Sequence, residues 1–422
     1  MEFPADVKEY LIQQICMSES TQDAILLYRT GKHFLSGCKF IFASDRGTDP
    51  GYSVNREFSA GAVVRSLFHS SRLLVLDDLT LREMDGGGAT FPIDYSISLD
   101  TQALSYLEPF MVGNVSKLPK DYAEVFKFVA QDNVFVDPIP YCQENLKNLR
   151  FPDKAEKIFN KIKSYEILRH LDGRLLSVSG IVRSKLTDLE IERNAQKHMS
   201  RMYMSLEDAR LMERISFRQR FMYCQLLKMA LINFTGSQDT VYGKVCRFLD
   251  FCDQSLATMG AREIAVAKRY FTQGQEFRFF GKIQKNKPDM FGALDGMAWD
   301  LWHVRQLEES MTLAPDSRAR YFFPSLLTFD KRFIEVMDLY PLRSLAYVEG
   351  ENMPMPFYSG DWFALVADYP EEQNSIAERY YSLDAKRSRQ ARRSGCEKNL
   401  DVIIDELERE LIKISPGSKK LS

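Results

Sequence analysis

The sequence predicts an α/β protein, and three features carry that prediction. In residues 94–107, Tyr95, Ile97 and Leu99 alternate with Ser96 and Ser98, the period of a strand. The strand ends in Asp100-Thr101-Gln102 and turns into an apolar run with helical spacing. Residues 292–333 reverse the order. A helical run holding Asp295, Trp299, Asp300, Trp302 and His303 leads to an apolar strand at 322–329, broken early by Pro324 and followed by Asp330-Lys331. Short apolar runs at 39–43, 73–77 and 342–348 have strand length and lie among helical stretches.

Composition bounds the class. With 422 residues, the chain has room for two or three domains at ~150 residues each, or one large domain with insertions. Hydrophobic residues at 45% and charged residues at 27% describe a globular chain with a large core. Lys and Arg number 56 against 58 Asp and Glu, so there is no global attraction to nucleic acid, and a polyanion needs a local patch. The seven cysteines (16, 38, 142, 224, 246, 252 and 396) form no CxxC pair and are odd in number, which predicts free thiols in a reducing compartment. The first residues carry acids and no long apolar core, and no run approaches ~20 apolar residues, so neither a signal peptide nor a membrane span is expected. The expected location is cytoplasmic.

In order along the chain, residues 5–30 read as helical, with Ile12, Ile15, Cys16, Ile25, Leu26 and Leu27 in a broken stripe. Residues 44–52 read as a loop, 58–70 as a helix and Gly86 to Gly88 as a flexible turn. Residues 121–235 are mostly helical, including 154–170 with Ile158, Phe159, Ile162, Tyr165, Ile167 and Leu168 at helical spacing. In 185–232, basic residues such as Arg193, Arg214 and Arg218 are interleaved with acids, which favours a solvated face over a phosphate-binding wall. Helices follow at 241–251 and 261–271, then a short one at 333–338 closed by Pro341, and 342–348 is the expected last strand. Near the end, Lys386, Arg387, Arg389, Arg392 and Arg393 form a basic segment, either a docking patch for an acidic partner or solvated surface. Residues 400–414 read as an amphipathic helix with Val402, Ile403, Leu407, Leu411 and Ile414 on one face.

The chemistry points to carboxylates. No phosphate-binding glycine loop, zinc-type spacing or nucleophile elbow is present. His198 and His303 are candidate acid–base groups, with a structural role for each as the plainer reading. Asp100 ends one strand, where it serves either as a helix N-cap or as a ligand-facing acid. Asp300 lies between Trp299 and Trp302, where a carboxylate must be paired, protonated or metal-bound. Hard carboxylate oxygens suit Mg²⁺ or Mn²⁺, which activate water and stabilise a phosphodiester leaving group.

Asp100-Thr101-Gln102 after a strand, Asp300 on a later helix, and Thr328-Phe329-Asp330-Lys331-Arg332-Phe333 together resemble the PIN-domain nucleases. In that family a strand ends in Asp-Thr/Ser-Asn, a late helix carries an acid, and a strand ends in Thr-x-Asp-x-x-Phe. The match covers residues 94–102 and 292–348. Gln102 departs from the usual Asn, and the 200 residues between Asp100 and Asp300 require a large helical insertion. The resemblance implies an α/β/α sandwich with a parallel sheet. It also implies Mg²⁺ or Mn²⁺ held by Asp100, Asp300 and Asp330, with Glu263 as a fourth catalytic acid and Glu207 as its alternative. Asp295 competes with Asp300; five residues turn a helix by ~500°, so the two cannot both face one ion. Arg305, Lys331 and Arg332 are candidates for holding phosphates.

On this reading residues 1–93 form an N-terminal α/β segment, separate or part of the same sheet. Residues 94–350 form the PIN-like domain with an insertion at about 121–260, and 351–422 form a C-terminal extension. The implied function is a metal-dependent endonuclease acting on RNA in preference to DNA, with a toxin or phage-defence role suggested by analogy with the family. The alternative is a non-catalytic PIN-like scaffold or nucleic-acid-binding module that uses the C-terminal helix to meet a protein partner.

Overall fold

The computed structural model describes residues 5–418 except 49, 69, 71, 314–318 and 352. The chain is mixed α/β, about 60% helical, with two sheets that include parallel pairs. It divides into two compact units. The first comprises Met1–Met212, Val304–Ile334 and Pro341–Tyr358; the second comprises Glu213–His303, Glu335–Tyr340 and Ser359–Ser422.

All the described strands lie in the first unit: β1 (Cys38–Thr48), β2 (Arg56–Glu57), β3 (Val63–Ser66), β4 (Leu73–Leu76), β5 (Ile93–Leu99), β6 (Val136–Asp137), β7 (Tyr321–Thr328), β8 (Leu342–Val348) and β9 (Met355–Tyr358). One sheet has the order β4-β1-β8-β9 and is antiparallel. The other has the order β2-β3-β7-β5-β6; β6, β5 and β7 run parallel, and β3 runs antiparallel to β7. Residues from 1–93 therefore contribute β2 and β3 to the sheet that holds β5, and β1 and β4 to a second sheet. β8 is not the last strand, because β9 pairs beside it.

The first sheet shows why alternation builds a core. Phe40 and Phe42 on β1, Leu74 and Leu76 on β4, and Ala346 on β8 share one cluster with Ile12, Ile15, Ala24 and Tyr28. Those last four come from α1 (Ala5–Cys16) and α2 (Thr21–Gly31). The expected helical stretch 5–30 is thus two helices, divided where Ser20 caps α2 by accepting Asp23 N–H. Leu26 falls off the stripe and is 64% exposed.

Two local readings are corrected. The expected loop at 44–52 is partly strand: β1 runs to Thr48, whose pairing with Leu73 resumes after an irregularity, so its turn-prone residues are absorbed by a bulge. The expected helix at 58–70 is a turn followed by β3. Gly61 has φ +99°, which only glycine adopts readily, and Phe58 N–H meets Ala62 O at 2.9 Å. The β-branched pair Val63-Val64 then joins Thr328 and Leu327 of β7. Pro324 is accommodated within β7 because the β3 ladder stops at Ser66–Ser325.

The other helices of the first unit are α3 (Asp78–Asp85), α4 (Thr101–Met111), α5 (Tyr122–Val129), α6 (Ile139–Asn145), α7 (Pro152–Arg169), α8 (Gly173–Ser179) and α9 (Asp188–Glu207). α7 packs between α4 and α9. It buries Ile158, Ile162, Tyr165 and Leu168, four of the residues its sequence placed on one face.

The remaining helices are α10 (Ala209–Thr235), α11 (Val241–Gln254), α12 (Ala261–Gln273), α13 (Met290–Ser310), α14 (Lys331–Met337), α15 (Trp362–Val366), α16 (Pro370–Tyr381), α17 (Leu383–Lys398) and α18 (Leu400–Ile414). The long run 185–232 is split by Asp208, whose Oδ1 accepts Leu211 N–H. In the second unit Phe248, Cys252, Ile264 and Tyr270 are fully buried, and Tyr270 stacks on Phe280 at 3.8 Å. α18 buries Leu400, Ile404, Leu407 and Leu411. The buried face is therefore shifted from the one expected, and Val402 is 55% exposed. The basic segment is partly committed within its own unit, since Arg389 and Arg392 both bind the Asp253 carboxylate. Among the described residues no helix is long and apolar enough to cross a membrane. All seven cysteines are free, and burial pushes the Cys16, Cys142 and Cys224 thiols up to about 12.

Candidate functional site

The site candidate is the carboxyl edge of the three parallel strands. β5 and β7 pair in step from Ile93–Tyr321 to Leu99–Leu327, so their ends emerge together. Asp100 leaves β5 with its N–H still bonded to Leu327 O at 3.2 Å. Its Oδ1 accepts Ala103 N–H at 2.5 Å, which caps α4. The cap and the edge position coexist. On β7, Thr328 is fully buried and its Oγ1 accepts Asp330 N–H at 3.0 Å, turning the chain into α14. Asp330 Oδ1 accepts both the N–H and the Nε–H of Arg332 at 2.9 Å, and its Oδ2 accepts from Nη2.

The third strand brings an acid that the sequence reading missed. On β6, Asp137 accepts the Ser96 and Ser98 hydroxyls and Ile139 N–H, which starts α6. Burial pushes the Asp137 carboxyl above the usual aspartate range, against those hydrogen bonds. One turn into α6, Glu144 Oε2 accepts the Thr101 hydroxyl at 2.6 Å, so Glu144 stands beside the residue that follows Asp100. Ser105, the next turn of α4, donates to Thr101 O and accepts from Lys161 Nζ at 2.8 Å. Burial pushes the Lys161 amine down, opposed by Glu108 and Glu144. β6 is two residues long, below what periodicity can register; the only signal for Glu144 was the Asp137-Pro138 turn after an apolar run.

The other predicted residues are distributed as follows. Glu263 lies in α12 of the second unit and is 1% exposed, near Cys252. Asp300 and Asp295 also belong to the second unit, on α13; Asp295 accepts Gln219 Nε2 at 2.8 Å. Glu207 is the exposed last residue of α9 in the first unit. Arg305 in the first unit binds the buried Glu308 carboxylate at 2.6 Å and the Tyr358 hydroxyl at 3.0 Å, so its packing role is the one on view. Arg332 holds Asp330, while Lys331 is exposed and passes over Gly61, where any side chain would collide with it.

His303 is 2% exposed and stacks on Trp299, a core position. His198 is placed otherwise. Its Nε2 lies 3.8 Å from Cys142 Sγ and its Nδ1 3.7 Å from Glu166 Oε1, a thiol, imidazole and carboxylate in line. With the thiol held protonated by burial, this line ties α6, α7 and α9 together.

The hard oxygens of Asp100, Glu144 and Asp330 are the donor chemistry of Mg²⁺ or Mn²⁺. Among the described residues, however, no group of three or more His, Cys, Asp or Glu side chains is gathered to hold a metal ion. No family model matches the chain, and no similar curated protein or solved structure was found.

Proposed function

We propose that the chain is a divalent-metal-dependent endonuclease of PIN-like architecture, acting on RNA in preference to DNA. The observation that carries this reading is the position of Asp100 and Asp330 at the carboxyl ends of two hydrogen-bonded parallel strands. That edge is where open α/β sheets bind their ligands. Asp100 and Asp330 would hold the ion, with substrate phosphates completing its shell, and Glu144 would fix Thr101 beside Asp100. When bound, Mg²⁺ or Mn²⁺ supplies a Lewis acid for the phosphodiester. Lys331, exposed next to Asp330, would attract the phosphate backbone.

A second reading, a non-catalytic nucleic-acid-binding module, is favoured by the grip of Arg332 on Asp330, which neutralises that carboxylate without a metal. Incubating the chain with single-stranded RNA or DNA, with Mn²⁺, Mg²⁺ or EDTA, separates the two. Cleavage of RNA that stops with EDTA supports the nuclease. RNA that is bound but stays intact under every condition supports the binding module.

A further inference from the structure

The basic segment near the end of the chain carries a second feature, independent of the cleavage reading. It lies on α17, within the second unit. Two of its arginines are structural. Arg389 Nη1 and Arg392 Nη2 donate to the two oxygens of the Asp253 carboxylate at 2.7 and 3.0 Å, and Cys396 Sγ faces Gln254 O at 3.7 Å. Residues three and four apart share one side of a helix, so these contacts pin that side of α17 to the end of α11 and turn the other side outward. The outward side carries Lys386, Arg387, Arg393 and Lys398, all exposed. Among the described residues none of the four has a carboxylate partner.

At ~100° per residue the four fall in two rows. Lys386 and Arg393 lie within ~20° of each other, as do Arg387 and Lys398, and the rows are ~120° apart. Together they cover ~18 Å of helix at ~1.5 Å per residue. Gln390, Ser394 and Glu397 lie between the rows and are exposed. Acids do not cancel this charge. Asp384 sits in the first turn, where the helix dipole favours an acid. Asp401, the first acid after α17, is bound by Arg220 at 2.6 Å. Glu397 alone stands among the four cations, on a chain whose formal charge is −2.

Rows of this length exceed what a small anion needs and suit the successive phosphates of a polyanion. One strand is enough to cover them, because a helix with its side chains is only ~10 Å across. The strip between the rows argues against an acidic protein. Protein interfaces centre on large apolar or aromatic anchors. On α17 the one large apolar side chain that is exposed, Leu383, stands at the very start of the helix. Gln390, Ser394 and Glu397 can instead meet ribose 2′-hydroxyls, which both donate and accept. To a DNA backbone Glu397 offers only repulsion. We propose that the outward side of α17 binds single-stranded RNA, with the two basic rows on its phosphates and the polar strip on its ribose hydroxyls.

Fluorescence anisotropy of a labelled oligouridine, titrated with the full chain in EDTA, tests the proposal. Without metal, binding is read whether or not the chain cleaves. Each phosphate contact on a single strand contributes ~0.7 to the slope of log affinity against log salt, which is ~fivefold in affinity at ~0.1 M. Arg387→Gln combined with Arg393→Gln, one arginine from each row, is expected to flatten the slope by ~1.4 and weaken binding ~twentyfold. Glutamine keeps the helix propensity, so the fold is expected to stand. Lys197→Gln combined with Arg201→Gln removes the same charge from the exposed side of α9 and is expected to leave affinity and slope near wild type. No binding of oligouridine by the wild type overturns the proposal, as does wild-type affinity and slope in the α17 variant or an equal loss in the α9 variant. Oligodeoxyuridine or polyglutamate binding as tightly as oligouridine also overturns it.

Discussion

Asp100 caps α4 through Ala103 N–H and also stands at the end of β5, so replacing it probes two roles at once. Asparagine caps a helix as well as aspartate does, whereas alanine costs about 1 kcal/mol. Asp100→Asn is therefore expected to melt with the wild type and lose cleavage, while Asp100→Ala loses cleavage and also melts lower. Retained cleavage by Asp100→Asn would reduce the residue to a cap. Asp137 yields a pH prediction. Its folded value is raised above 3.8 by burial, so the folded chain keeps this proton after the unfolded chain has released it. The contribution of Asp137 to stability falls as pH rises from the ordinary aspartate value through the folded one, and stays reduced above it. Asp137→Asn removes the charge and leaves polar atoms for Ser96 and Ser98. It is expected to melt higher than wild type at neutral pH, with the gap closing in acid below the ordinary aspartate value; a gap of the same size across that range would contradict this.

Among the elements, those with strong periodicity were legible from sequence. β5, β7, α4, α7, α12 and α13 all lie where alternation, helical spacing or a continuous apolar run put them. What was not legible depends on pairing partners far along the chain. β3 is a strand because β7 lies beside it, some 260 residues later, as the Val63–Thr328 pair shows. β6 is two residues long and exists because β5 has an open side. Its absence from the reading also hid Glu144, while Asp100 and Asp330 were found because each ends a patterned strand. α18 shows that amphipathic pattern alone does not fix the buried stripe. Leu411 is fully buried and Val402 is mostly exposed. Leu411→Ala is expected to cost about 2–5 kcal/mol in chemical denaturation, and Val402→Ala to stay within about 0.5 kcal/mol of wild type. Equal costs would mean that the face drawn for α18 is wrong.

At the scale of the whole molecule, the division into units follows packing rather than chain order, since each unit is built from three separate segments. The candidate acids fall on both: Asp100, Glu144 and Asp330 on the first, Asp300 and Glu263 on the second. Ending the chain at Tyr358 removes α15 to α18, and with them Leu407 and Leu411 from the second unit's core. Such a truncation is expected to lose more helical circular dichroism than the deleted residues account for and to bind a hydrophobic dye; a native-like spectrum would show that 213–303 folds without its C-terminal cover. The central claim, that the β5–β7 edge is a nuclease site, is tested most directly by Mn²⁺-dependent cleavage of single-stranded RNA by wild type and Asp330→Asn, with matching melting curves as the control on folding. A loss of at least about a hundredfold in the variant is predicted, in the range of removing one transition-state electrostatic contact. Equal cleavage by both proteins, or none by the wild type, would contradict it.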